Sequence, residues 1–449
     1  MGGYLAYTEY RDSGVEWLGD IPSRWKAIRL AFLTDKIGDG IHATPKYVEK
    51  SSYHFINGNN LVNGRIYIDE STKCVGKNEF DVYNLKLSQN TLLLSINGTI
   101  GNVAYYNNES VVLGKSAAYI SCKVVLSRFF LYFFLNSSSA RNYFFFEVTG
   151  TTIFNLSLKS LKNLFIPLPT LAEQQQIAAF LDYKTAQIDA LIAKKEALLE
   201  KLAEKRTALI SQAVTKGLDP TVPMKDSGIE WLDEIPEHWE IKRQRFLFEM
   251  TGGSTPSKNN PDFWDGDIPW VSPKDMKRPR LDGSIDRLSQ EALEQTSIHL
   301  HSSGKVLIVV RGMILAHTFP VAVNDVQVTV NQDMKVLDTT LNPEYLAILL
   351  RGISSLVLSI VEESAHGTKV LRTDLFKNIF IPVPPFLEQE NIVKYVKDVT
   401  DETDKMIGFI TAAVKRLKEY RTALVTNAVT GKIDVRDIKL PGTKPVTVN

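Results

Sequence analysis

"DSGVEWLGDIPSRW" spans residues 12–25, and "DSGIEWLDEIPEHW" spans residues 226–239. Nine of the fourteen positions are identical, Trp17/Trp231, Pro22/Pro236 and Trp25/Trp239 among them. The chain therefore writes one structural element twice, 214 residues apart. The repeat extends outward from this stretch. "LFIPLPTLAEQQQI" (164–177) returns as "IFIPVPPFLEQENI" (379–392), and "LAEKRTALISQAVTKGLD" (202–219) returns as "LKEYRTALVTNAVTGKID" (417–434). Between these anchors the copies diverge. Two similar scaffolds that carry different faces are the physical reading of such a pattern.

Each copy closes in a long helix. From Leu171 to Thr215 there is no Gly or Pro, and Ala, Leu, Lys, Glu and Gln dominate. Stepping alternately by four and three from Ile177 to Gln212 meets Ile or Leu at seven of eleven positions. The same steps from Ile392 to Asn427 meet apolar residues at nine of eleven, with Gly408 a weak point off the seam. A seam of this spacing predicts that the two helices pair. About 45 residues at ~1.5 Å each make a rod of roughly 65 Å. If the copies are related by a pseudo-twofold axis, the second helix runs back antiparallel beside the first. Each helix end then meets the opening cap of the other copy. The Trp residues of "DSGxEWLxxIPxxW" are then packing anchors at a joint.

The 449 residues suit two or three domains. Hydrophobic content of 44% and charged content of 23% belong to a soluble globular chain. The longest apolar run, "FFLYFFL" (129–135), is far too short to span a membrane and predicts a buried amphipathic helix. Cys74 and Cys122 are the only cysteines, which leaves no disulfide framework and no zinc-ligand spacing. A cytoplasmic, metal-free chain is expected. Net charge is +1, but residues 26–165 carry 15 Lys and Arg against 9 Asp and Glu, whereas residues 240–380 carry 16 against 17. Were both segments to bind DNA, partner subunits would supply much of the phosphate neutralisation. "TLLLSI" (91–96) and "KVLIVV" (305–310) read as buried strands, residues 128–136 and 343–351 as helices, and "TGTTIFNL" (149–156) and "AHGTKVLR" (365–372) as closing turns.

Catalytic motifs fail on inspection. "LGKSA" (113–117) ends like a phosphate-binding loop, but Glu109 stands where its first Gly belongs. "VPPF" (383–386) begins with Val383, which has no acceptor for an adenine amino group, and its counterpart "LPTL" marks it as a joint. "EIK" (240–242) has no echo in the first copy, and "HLH" (299–301) has no carboxylate or Cys cluster beside it. No catalytic centre is visible. Two divergent faces on a duplicated frame suit either a reader of a two-part target or a structural adaptor protein that tethers two protein partners.

With "DSGxEWLxxIPxxW", "IPxPxxxEQxxI" and "RTALxxxAVTxxxD" each present twice, the chain resembles the specificity subunit of type I restriction-modification systems over essentially its full length. "DGIHATPKY" (39–47) and "TGGSTPSKNNPDFWDGDIPWVSPKDM" (251–276) are similar to openings of target recognition domains in that family. Departures are "AVTKGLD" where "AVTGKID" is usual, and Asn97 before a Gly where Arg is usual, as at Arg311. The resemblance implies an α+β fold: two mixed α/β target recognition domains in pseudo-twofold arrangement, separated by two long antiparallel coiled-coil helices. The expected divisions are recognition domain one with its joint (1–170), spacer helix one (171–218), recognition domain two (219–385), spacer helix two (386–434) and a tail (435–449).

The resemblance further implies a non-catalytic reader of double-stranded DNA, with each domain taking one half of a gapped, asymmetric site. Its implied partners are two adenine methyltransferase subunits, which use S-adenosylmethionine, and restriction/translocase subunits, which use ATP and Mg. No cofactor or metal is expected in this chain, and no membrane. Base readout needs Arg on guanine, Asn or Gln on adenine. Candidates in loops beside the strands are Lys46, Tyr47, Asn57, Asn97, Lys115 and Thr152 in copy one. In copy two they are Ser254, Thr255, Lys258, Lys274, Arg311, Gln332 and Lys369.

Overall fold

The computed structural model describes residues 3–150 and 154–441. The chain forms two compact units, residues 1–196 with 411–449 and residues 197–410. In unit 1 the strands that matter are β1 (Thr34–Asp39), β2 (His54–Ile56), β3 (Thr91–Ser95), β4 (Val103–Tyr105), β5 (Val111–Leu113) and β6 (Ala117–Cys122). An antiparallel sheet runs β4-β3-β6-β1, and β5 pairs in parallel with β2 in a second sheet. Every residue of β3 is buried, which is why it reads as a continuous apolar run rather than an alternating one.

Unit 2 repeats the plan with β7 (Phe248–Gly252), β8 (Ile268–Val271), β9 (Val306–Val309), β10 (Val321–Asn324), β11 (Thr329–Val330) and β12 (Met334–Thr339). Its sheet runs β7-β12-β9-β10 with Arg280–Leu281 added at one edge, and β11 lies parallel to β8. The "FFLYFFL" run forms the helix Arg128–Leu135, which buries Phe130, Leu131, Phe133, Phe134 and Leu135. Its counterpart, Pro343–Gly352, buries Tyr345 through Leu350. Each buried Phe, Leu or Ile among them contributes roughly 1.5–3 kcal/mol of transfer free energy. Among the described residues no helix is long and apolar enough to cross a membrane.

The two long helices are α1 (Leu171–Lys216) and α2 (Phe386–Val429). Within unit 1, Arg421 clasps Asp189 through two bonds of 2.7 and 3.0 Å, and Lys418 meets Glu196 at 2.9 Å. Numbers rise on one helix as they fall on the other, so the pair is antiparallel. Within unit 2, Arg206 meets Asp404 at 2.7 Å. Asp189/Asp404 and Arg206/Arg421 are matched repeat positions, so each unit makes the same pair. Such exposed ion pairs contribute at most about 1 kcal/mol each and act as register marks.

The seam itself departs from the expected heptad spacing. Leu191 (43% exposed), Leu198 (45%), Met406 (38%) and Tyr420 (43%) face outward. Ile192 is buried, and Leu199 and Ile407 are half-buried, in their place. The inward positions run from Ile177 to Ala213 and from Ile392 to Ala428, ten steps over 36 residues in each helix. That is a period of 3.6, the undistorted α-helical value. A strict seven-residue pattern drifts ~20° per heptad against it, so after five heptads the seam has moved by one residue.

The repeated motifs bind one another within each unit. The Asp12 and Ser13 side chains accept from the backbone N–H groups of Gly14 and Val15, and Asp226 and Ser227 do the same for Gly228 and Ile229. Trp25 and Trp239 are fully buried, and their indole N–H groups donate to Glu173 at 3.1 Å and Glu388 at 2.8 Å. The next residues, Gln174 and Gln389, accept from the backbone N–H of Ser127 and Asn342 at 2.8 Å each, which fastens the starts of the helices Arg128–Leu135 and Pro343–Gly352. Gly431 packs on Pro22 and Trp25, where a Cβ would come within 2.4 Å of the proline ring. Gly217 packs likewise on Trp239, and both glycines hold positive φ, 72° and 78°. "AVTKGLD" therefore moves the glycine stop one residue later, and α1 runs to 46 residues against 44 in α2.

Candidate nucleic-acid interface

One edge of each main sheet gathers four chain segments. In unit 1, Ile41 N–H donates to Leu113 O (2.8 Å), Ile96 to Ser116 O (2.9 Å), Gly98 to Phe154 O (3.0 Å) and Leu156 to Ile96 O (2.8 Å). In unit 2, Ser254 donates to Val330 O (3.1 Å), Val310 to Asp333 O (2.8 Å), Gly312 to Lys369 O (2.9 Å) and Leu371 to Val310 O (2.8 Å). The two sets correspond bond for bond. Each first segment must begin with glycine. A Cβ on Gly40 would lie 2.0 Å from Leu113 O, and one on Gly253 would lie 1.9 Å from Val330 O.

This correspondence aligns side chains that the diverged sequence does not. Asn97 occupies the position of Arg311, Lys115 that of Gln332, and His42 that of Thr255. Ser254, Thr255, Arg311, Gln332 and Lys369 share the unit 2 edge. Thr255 donates to the Gln332 amide oxygen, and Gln332 lies 3.5 Å from Asp333. Lys369 is paired with Glu363 at 2.8 Å, a bond that holds the Glu363 carboxyl below its ordinary range. Arg311 is exposed and has no ion pair among the described residues. Lys258 is exposed in the loop beyond Thr255, and Lys274 is paired with Asp286 at 2.6 Å.

In unit 1, Asn97 meets Asn155 at 3.4 Å and Lys115 is exposed at the same edge. The Asn57 amide oxygen accepts from Ser116 at 2.9 Å and its side chain caps the short helix Gly58–Asn60. Asn57 thus supports the edge from below. Lys46 is exposed, and Tyr47 stands beside it with Lys73 Nζ 4.5 Å from its ring. Thr152 lies outside the described residues. Sequence reasoning missed His42, an exposed side chain 3.0 Å from Asp39. Its signal was the glycine two residues earlier, matched to Gly253. Among the described residues no group of His, Cys, Asp and Glu could hold a metal ion.

Two like units, each presenting one polar edge with its own side chains, define a duplicated binding protein with two different faces. Residues 22–201 and 236–416 match the family described as "Type I restriction modification DNA specificity domain", and the chain belongs to that family. It is 32% identical over 208 residues to the EcoR124I/EcoR124II specificity subunit of Escherichia coli, a match that covers 45% of this chain and 48% of that one. The chain thus spans about half the length of that curated relative. Against the putative MjaX specificity subunit of Methanocaldococcus jannaschii it is 23% identical over 434 residues, 93% of this chain and 96% of that one. The fold is similar to a solved structure described as "Structural basis underlying complex assembly and conformational transition of the type I R-M system", with TM-score 0.71, 15% identity, and 92% and 99% of the two chains covered. It is also similar to the HsdS subunit from Thermoanaerobacter tengcongensis, with TM-score 0.57, 16% identity, and 92% and 98% covered.

Proposed function

We propose that this chain is the DNA sequence-recognition subunit of a type I restriction-modification complex and that it performs no chemistry itself. Residues 1–170 read one half of a gapped site and residues 219–385 the other, in double-stranded DNA in the cytoplasm. The observation that carries this reading is the pair of edges: one backbone frame built twice, with Asn97, Lys115 and His42 in one and Arg311, Gln332 and Thr255 in the other. Equivalent frames with different donors and acceptors meet different base edges. The spacer helices fix the gap and dock two methyltransferase subunits, which bring S-adenosylmethionine. Restriction subunits bring ATP and Mg. The exposed apolar residues that the 3.6 period leaves outside the seam, Leu191, Leu198, Met406 and Phe409, suit docking of a partner helix.

Selection from random duplex DNA by the complex with its methyltransferase partner, followed by sequencing, tests the reading. Enrichment of one asymmetric site with an unread gap is expected. A single contiguous site, or no enrichment, overturns it.

A further inference from the structure

Unit 2 contains a cavity of about 620 Å³ outside the reading edge. Its walls come from α1 (Arg206, Ile210), from α2 (Val396), from the helix Pro343–Gly352 (Ile348, Arg351) and from the segment after β8 (Lys277, Arg278). Four cationic side chains line it, and no carboxylate does. Arg206 is already paired with Asp404. Arg351 is half-buried, and among the described residues its guanidinium has neither a hydrogen bond nor an ion pair. Burial first, and repulsion from Arg206 second, lower the Arg351 pKa, as they must where a cation lacks its counter-charge.

Unit 1 has the matching cavity, and the difference between the two is informative. That cavity measures about 270 Å³ and is lined by Asn136, Arg141 and Arg421. Asn136 stands at the repeat position of Arg351, 215 residues earlier. There Arg141 donates to the Asn136 amide oxygen at 3.2 Å, and Arg421 is held by Asp189. The unit 1 cations have partners within the chain, whereas Arg351 has none among the described residues. A partner subunit present in two copies would call for the same charge on both sides. One unsatisfied site per chain calls for a single ligand.

We infer that the unit 2 cavity binds a phosphate-bearing organic anion, with its phosphate on Arg351, Lys277 and Arg278 and its apolar part on Ile210, Ile348 and Val396. Three cations offer more donors than one carboxylate accepts, and guanidinium forks match the several oxygens of a phosphate. The volume and the apolar wall exceed what inorganic phosphate fills and suit a nucleotide-sized molecule. A duplex backbone presents the same phosphate chemistry. It is too wide to enter and touches only the exposed mouth at Lys277 and Arg278. The inference does not depend on the reading edges contacting DNA.

Calorimetric titration of the full chain with ATP, with pyrophosphate and with a short random duplex tests it, and acetate at equal ionic strength serves as control. ATP and pyrophosphate binding are expected to weaken about 10- to 100-fold in Arg351→Gln, the loss expected for one charged hydrogen-bonding group. That variant removes an unpaired charge and is expected to fold with an undiminished thermal midpoint. Lys277→Gln, at the exposed mouth, is a second variant expected to weaken binding. If only duplex binding weakens in Arg351→Gln, the phosphate is that of the DNA backbone and the inference of a small-molecule site fails. Equal affinities in wild type and Arg351→Gln, or a response matched by acetate, also overturn the inference.

Discussion

Asn97 and Arg311 sit on the same turn of the same backbone frame and offer different chemistries to whatever meets the edge. Arg311, exposed and without an ion pair among the described residues, can fork onto guanine. Arg311→Ala is expected to cost about 1–3 kcal/mol of specific binding and to leave nonspecific binding nearly unchanged, in competition gel shifts with matched and scrambled duplexes. An equal loss on both duplexes would assign Arg311 to a phosphate. The same comparison of copies exposes a weak point. Gln244 is fully buried, and neither its amide nitrogen nor its oxygen has a partner among the described residues. Leu30 fills the matching place, with its N–H on Leu164 O at 2.7 Å, where Gln244 N–H meets Ile379 O at 3.0 Å. Gln244→Leu is therefore expected to stabilise unit 2 by about 1–3 kcal/mol and to raise the midpoint in a thermal melt. A lower midpoint would mean that ordered water satisfies the amide.

The helices show how a small error in period accumulates. A heptad template places the seam correctly at Ile177 and Ile392 and misplaces it at Leu191, Leu198, Met406 and Tyr420, although Leu424 is buried again. At 3.6 residues per turn a seven-residue insertion rotates the downstream part of the helix by only ~20° and adds roughly 10 Å. Inserted at facing points beside Asp189 and Arg421, it is expected to keep both half-sites and to lengthen the gap by about three base pairs at ~3.4 Å each. Three pairs also turn the groove by roughly 100° at ~10–10.5 pairs per turn, so binding is expected to weaken. Binding selection on the extended protein checks this. The original gap with undiminished affinity would show that the helices are not the ruler. An insert in one helix alone is expected to lower the melting midpoint, because it slides the buried faces of the two helices out of register.

At the scale of the whole molecule, the joints explain why the opening element is written twice. The cap of unit 1 closes on Gly431, after α2, and the cap of unit 2 closes on Gly217, after α1. Within unit 1 the segment before the cap also meets the segment after α2: Leu5 bridges Asp434. Each diverged segment is set between matched fastenings, Trp25–Glu173 or Trp239–Glu388. Exchange of residues 26–165 for the equivalent segment of a relative is expected to change one half of the methylated sequence and to leave the other half intact. Methylome sequencing reads the outcome, and a change in both halves would contradict two independent readers.

The sequence by itself determined the duplication, the long helices, the buried strands and the joints. Each of these rests on local chemistry. Helix periodicity, the Asp-Ser-Gly turn, the glycine stop and the twice-written Trp and Glu are all legible from spacing. Only the tertiary structure decided which loop residues share an edge. Asn97 and Arg311, or Lys115 and Gln332, lie in segments of different length and composition, and they align through backbone hydrogen bonds that no residue type encodes. The same is true of Asn57, whose amide is turned inward by Ser116, and of the charge left unpaired at Arg351. A side chain's partners are set by segments far away in sequence, and the diverged faces kept the bonds between those segments while replacing the residues that carry them.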